Sequence, residues 1–291
     1  MPVLSIISCG MLEDELTHVL SEDKELTHLI LVDAAEIYGL ARKLRAQNRP
    51  FLIADLAQIP NLLKKQHDAT PFSRVPTTRT RIADAVRRLR NGRNMSDAVV
   101  ANVLKMDLHG SAELLKREVY RNIESMSSFS DGILMLYGLC DSLRDLERDF
   151  AGCRSPLYFL ADECGTRVED CIALALGGNQ SFWQTSSIHS NVVFFSTPMW
   201  ASNWQSLKQH SRKDQELAQR VEKLLKRARF KLRLKVAKVD TGLRYEPNFD
   251  ENTRDYARQQ QMNVIQLRGN TDIVERCYQK AKSSVRKRIA E

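Results

Sequence analysis

No CxxC pair occurs anywhere in the 291 residues, so the chain has no local metal-binding loop and any cysteine site must be assembled from distant segments. Also missing are a GxxxxGK[ST] loop, a GxGxxG after a strand, an HExxH and a GxSxG. Those absences disfavour P-loop hydrolysis, a Rossmann dinucleotide site of the usual kind, zincin proteolysis and α/β-hydrolase action. No apolar run approaches the roughly 20 residues that cross a bilayer. Glycine (12) and proline (8) are too few for collagen-like or low-complexity chains. The start, MPVLSIISCGMLEDEL, has no basic stretch before its apolar run and turns acidic at once. It reads as a core strand and not as a signal peptide, so the expected location is cytoplasmic, with the 6 cysteines reduced.

What is present is an ordinary globular composition, 43% hydrophobic and 27% charged, with a mean hydropathy of -0.39. The length suits one large domain or two small ones. Strand-like and helix-like segments alternate, the pattern of an α/β fold. Short β-branched or apolar runs at Val3 to Ser8, Leu29 to Val32, Phe51 to Ala54, Ala98 to Leu104, Gly132 to Tyr137, Pro156 to Leu160, Val192 to Ser196, Leu234 to Val239 and Asn263 to Leu267 predict strands. Helices are predicted between them, among them Glu36 to Gln47, Thr77 to Arg90, Ala112 to Ser125 with Ser111 as its cap, Asp214 to Phe230, Asn248 to Gln261 and Thr271 to Lys282. The expected fold is a mostly parallel, Rossmann-like sheet flanked by helices, forming one α/β domain over 1–291 with room for two lobes. The polar, proline-bearing stretch from His67 to Pro76 marks an inserted or enlarged helical segment at about 55–97.

Three strand-like runs end in small or reactive residues: SIISCG, ILMLYGLC and KVDTG. In open α/β sheets ligands bind beyond the carboxyl ends of the strands. Gly10 and Gly138 allow a sharp turn and close approach of a ligand beside Cys9 and Cys140. Cys171 sits at a helix start beside Asp170, where free N–H groups lower a thiol pKa. His109 follows another strand. One crevice holding Cys9, Cys140, Cys171 and His109 would match a zinc site or an iron–sulfur cluster. The competing reading is three buried, inert thiols. Asp240, Thr241 and Gly242 would hold a phosphate, a ribose or a metal-bound water, or form a plain strand-to-loop turn. Cys153, Cys164 and Cys277, and His18, His28, His67, His189 and His210, show no partner pattern.

The net charge is +8, from 44 basic and 36 acidic residues, and it is uneven. It gathers at Arg79 to Arg93, at Arg212 to Lys238 and in the closing KSSVRKR. Clustered cations suit phosphates, but no nucleic-acid motif accompanies them and aromatics are 7%. A docking face or an anionic ligand is the stronger expectation, with RNA binding the weaker one and no membrane contact.

SIISCGMLEDEL, LHGSAELLKREVYRNI, SDGILMLYGLC, EDCIALALGG, TPMW and KVDTGL, in that order, resemble the family called domain of unknown function 1638. The segment from Leu29 to Met95 looks like an enlargement, similar to the forms in methanogenic archaea. The resemblance implies Cys9, Cys140 and Cys171 as recurring cysteines, with His109 in an LH motif and Asp170 in a DC motif as candidate catalytic groups. Many relatives have His where this chain has Glu169. The resemblance also implies one-carbon metabolism beside corrinoid-dependent methyltransferases. Two roles follow as expectations: a zinc or iron–sulfur protein in corrinoid-linked methyl transfer, or a non-catalytic accessory protein docking on a corrinoid or methyltransferase partner.

Overall fold

The computed structural model describes residues 1–67, 97–140, 142–190, 192–210 and 234–290. The helices expected at Thr77 to Arg90 and Asp214 to Phe230, most of the enlarged segment, the Arg79 to Arg93 cluster and all of the Arg212 to Lys238 cluster before residue 234 lie outside the described residues.

Nine strands are described, in two parallel sheets. They are β1 (Val3–Cys9), β2 (Leu26–Val32), β3 (Leu52–Ala54), β4 (Asp97–Leu104), β5 (Gly132–Leu136), β6 (Leu157–Phe159), β7 (Val192–Ser196), β8 (Lys235–Asp240) and β9 (Asn263–Arg268). The first sheet has the order β3-β2-β4-β1-β5-β6, and every pairing in it is parallel. The second has the order β7-β8-β9, also parallel. The helices are α1 (Glu13–Glu22), α2 (Ile37–Ala46), α3 (Ile59–His67), α4 (Ala112–Ser127), α5 (Leu146–Asp149), α6 (Cys171–Ala175), α7 (Asn179–Ile188), α8 (Pro198–His210), α9 (Phe249–Gln259) and α10 (Asp272–Ala290). Short 3-10 turns at Gly10–Leu12 and Met106–Gly110 follow β1 and β4.

The central strands are apolar on both faces because helices cover both sides. Ile6, Ile7, Val100, Ala101, Leu134 and Met135 are wholly buried. Val3 stands opposite Ala98, and Leu4 opposite Gly132. From β1 the chain turns toward β2, whereas from β4 it crosses β1 to reach β5. The direction of winding therefore reverses between the neighbouring strands β1 and β4, and their carboxyl ends frame the switch-point crevice.

α10 returns to the first sheet, against β1, β5 and β6. It runs past the expected end at Lys282 to Ala290. Its cations are internal partners: Lys282 Nζ lies 2.6 Å from Asp23, and Arg286 bonds Asp97 and Glu25. Lys282 is 3% exposed. In the closing KSSVRKR, Lys282 and Arg286 thus fasten the last helix, which corrects their reading as part of a docking face. The reason is that Asp23, Glu25 and Asp97 stand where that helix lands, and a buried charge must be paired.

α8 of the second lobe packs against both 3-10 turns and α1. There Lys43 Nζ lies 2.7 Å from Glu13, 2.6 Å from Asp14 and 2.6 Å from Glu246, and 3.0 Å from the Met199 sulfur. Glu13 and Asp14 belong to α1 and Lys43 to α2, beside the first sheet, whereas Met199 is on α8 and Glu246 in the turn after β8 of the second.

Candidate functional site

Four separate turns deliver the sulfur-bearing site to the mouth of the switch-point crevice. Cys9 ends β1, and its sulfur accepts from the Met11 amide at 3.4 Å. The Cys9 Sγ lies 3.1 Å from His109 Nε2, carried by the turn after β4. Gly10 is required here, since a Cβ would come within 2.8 Å of Met106 and 3.1 Å of the Leu104 carbonyl.

After β5 the chain reaches Tyr137, Gly138 and Cys140. The segment Val168–Glu169 crosses directly over it: the Leu139 amide donates to the Val168 carbonyl and the Cys140 amide to the Glu169 carbonyl, both at 2.9 Å. Cys140 adopts φ +44, a left-handed conformation that disfavours side chains other than glycine. Strain of this kind persists only where the surroundings impose it, and it gathers at functional positions. Asp170 then caps α6, its carboxylate accepting from the Ile172 amide at 2.9 Å and the Ala173 amide at 2.8 Å. That cap sets Cys171 as the first residue of the helix.

Electrostatically the thiols form one group. Burial raises the Cys9 thiol to about 12, against the lowering effect of the Met11 amide, and Cys140 and Glu15 add to the rise. Burial likewise pushes Cys171 well above the ordinary thiol range, with Cys9, Asp170, Cys140 and Glu15 contributing. The helix start was expected to lower Cys171. Instead Asp170 occupies the amides of a five-residue helix, and burial decides the sign. Tyr137 is raised by burial and then by Cys9 and Cys140. His109 is exposed at the rim, yet the protein packed against it lowers its basicity. Glu15, on the first turn of α1, is pushed up to about 8 by burial and then by Asp14.

The structure therefore brings together Cys9, His109, Cys140 and Cys171 and adds two groups that the sequence reading passed over, Tyr137 and Glu15. Glu15 sits in the acidic run LEDEL, which reads as a surface stretch. Its signal was the helical spacing after Cys9, which turns the third acidic residue back toward the strand end. Gly138 is needed for the close crossing of the chain, because a Cβ there would meet Asp170 and Glu169 backbone atoms at 2.6 to 2.7 Å. Asp240, Thr241 and Gly242 stand at the end of β8, on the other sheet. Asp240 accepts from the Gly242 amide at 2.9 Å and from Arg244 at 2.7 Å. Cys277 is buried in α10 and Cys164 is exposed.

Among the described residues, one group of three ligand-type side chains has its donor atoms all within 4.8 Å of one another: Glu13, Asp14 and Glu246. Lys43 already lies at the centre of that group. It is an ion-pair cluster. The sulfurs and imidazole at the crevice are neighbours at wider spacing.

Residues 103–278 match the family described as protein of unknown function (DUF1638). The chain belongs to that family. No curated protein and no solved structure matches it. The DUF1638 match takes in His109, Cys140, Asp170, Cys171 and the Asp240–Gly242 turn, and begins after β1 and Cys9. Among the described residues no helix is long and apolar enough to cross a membrane.

Proposed function

We propose that this protein binds a thiophilic metal, as zinc or an iron–sulfur cluster, through Cys9, Cys140 and Cys171 with His109 as the fourth donor. The observation that carries the reading is the convergence of three cysteines and an imidazole from four distant segments on one strand-end site, with Cys9 buried, Cys140 and Cys171 half-buried and His109 at the exposed rim. The donor set suits soft metals, which thiolate and imidazole select. Burial without a neutralising cation keeps the thiols protonated, and a bound cation would reverse that balance. Zinc–sulfur bonds of about 2.3 Å hold sulfurs within about 4 Å of one another, so binding would draw the four turns together.

Were Cys9, Cys140 and Cys171 alone to hold zinc, with His109 as proton carrier in place of fourth donor, the remaining position would be left for a substrate thiol, and the metal's charge would favour its thiolate, the nucleophile for methyl transfer. Burial raises both Glu15 and Tyr137 and so keeps their protons on, which leaves either able to give a proton at the site. The connection to corrinoid-dependent methyl transfer is supported by the family resemblance and by no contact in the fold.

The test is metal analysis with a visible spectrum on protein purified without oxygen. About one zinc per chain, or a charge-transfer band from a cluster, is the expected result. Cys9→Ser, Cys140→Ser and Cys171→Ser should each lower the metal content. A colourless, metal-free protein that takes up neither zinc nor iron would overturn the reading.

A further inference from the structure

The second sheet has its own ligand-type end. β7 leads into the 13-residue helix α8 through Thr197, and β8 leads into its turn through Thr241. β7 and β8 are parallel neighbours, so both threonines stand at the same, carboxyl end of the sheet. Each threonine has its Oγ1 buried with no hydrogen-bond partner. Thr197 as a whole is 5% exposed. A threonine that precedes a helix ordinarily accepts from a first-turn amide. Thr197 does not, although its carbonyl accepts the Ala201 amide at 2.9 Å in the usual way. Two buried, idle hydroxyls at one strand edge mark a place where partners are missing.

The surroundings give those partners a chemistry. The N-terminus of α8 offers backbone amides and the positive end of a helix dipole. Pro198 opens the helix without an N–H, which leaves the Met199 and Trp200 amides as its first-turn donors. The Gly242 turn has φ +86 and open space on its Cβ side, with nothing within 4 Å. The adjacent carboxylate, Asp240, is matched by Arg244 at 2.7 Å, so it does not repel an anion on its own. α8 also packs on the turns that carry Gly10 and His109.

We infer that the carboxyl end of the second sheet is an oxyanion site that binds the phosphate group of a small substrate through the Thr197 and Thr241 hydroxyls and the opening amides of α8. The assignment goes beyond the metal reading and does not depend on it.

The test is calorimetric titration of the full-length protein with inorganic phosphate, with acetate as competitor. Saturable phosphate binding is expected, weakened about tenfold or more in Thr197→Val and Thr241→Val and kept in Thr197→Ser, which retains the hydroxyl. Each variant is checked for a cooperative melt, and Thr241→Val decides should Thr197→Val fail to fold. Cys9→Ser and Cys171→Ser should lose metal and keep phosphate binding, which separates this site from the thiol centre. The assignment is overturned by no saturable phosphate binding, by undiminished binding in the valine variants, or by acetate competing as well as phosphate.

Discussion

Gly138 and Asp170 meet backbone to backbone: a Cβ on Gly138 would lie 2.6 Å from the Asp170 Cα and 2.7 Å from its nitrogen. That contact seats Cys171 against the end of β5, because Asp170 caps the helix that Cys171 begins. The glycine shapes the site although it lends it no donor atom.

Replacing Gly138 with alanine should therefore injure the fold and the site together. Overpacking of this kind costs about 1–3 kcal/mol, and backbone is less able to give way than a side chain. Gly138→Ala should show a lowered denaturant midpoint and a lowered metal content. Gly152→Ala, at a position with open space, is the control and should leave metal content unchanged.

Lys43 is the cation of the inter-lobe cluster. Burial opposes its charge, but Asp14 and Glu13 outweigh burial and hold its ammonium well above the usual lysine range. Burial in turn raises both carboxyls. Lys43→Met would leave buried acids without their cation, and breaking such a cluster from one side costs about 3–5 kcal/mol. Glu246→Gln removes one surplus acid and should cost less. Equilibrium unfolding of the two variants gives the order, and a Glu246→Gln loss as large as that of Lys43→Met would contradict it.

These features show what a sequence can and cannot announce. The runs VLSIISC, DAVVANVL and GILML are buried throughout and mostly apolar because helices cover both faces, and the sequence predicts those strands nearly to their ends. Ser111 caps α4 as its residue type suggests, accepting from the Leu114 amide at 3.4 Å. The division into two sheets was less legible, since VVFFS and KVAKVD are parallel strands of the same local character, and pairing partners are a long-range property. The sequence reading ends β7 in Thr197-Pro198-Met199-Trp200 and predicts no helix at α8, although Trp200, Trp204 and Leu207 are at helical spacing. Thiols at strand ends were visible as a pattern. The buried state of Glu15 was not, because burial depends on what packs against α1.

Asp23 gives a pH prediction. Burial alone would raise it, but Lys282 and Tyr278 hydrogen bonds prevail and hold the carboxyl below its ordinary value. A group whose folded pKa is depressed adds stability above its unfolded pKa of about 3.9 and loses it as pH falls through the folded value. The stability gap between the natural chain and Asp23→Asn should be full at pH 7 and shrink below about pH 4. Urea midpoints from pH 3 to 7 measure it, and a gap independent of pH would count against the ion pair.

Metal uptake should release protons. With Cys9 near 12 and Cys171 also raised, binding as thiolate must displace S–H protons. About two protons or more per metal are expected near neutral pH. Affinity should then rise steeply with pH. Titrations in two buffers of different ionisation enthalpy count the protons, and a count near zero would mean that the cysteines are not the ligands.

The path of the chain gives the β7–β9 unit only two tethers to the rest of the protein. One passes through Gly177 and Gly178, at φ +88 and +123, and the other through Gly269 and Asn270. The tethers touch: the Asn270 amide donates to the Ala175 carbonyl at 2.9 Å, and a Cβ on Gly177 would lie 2.7 Å from the Asn270 side-chain nitrogen. The three-stranded unit is thus a parenthesis in the larger fold, opened and closed at one point, and any swing of one sheet against the other turns about that single seam. Because α10 follows the second tether and packs on β1, β5 and β6, the first sheet gains that covering helix only after the parenthesis has closed, so a nascent chain cannot complete the thiol-bearing half before α10 is made.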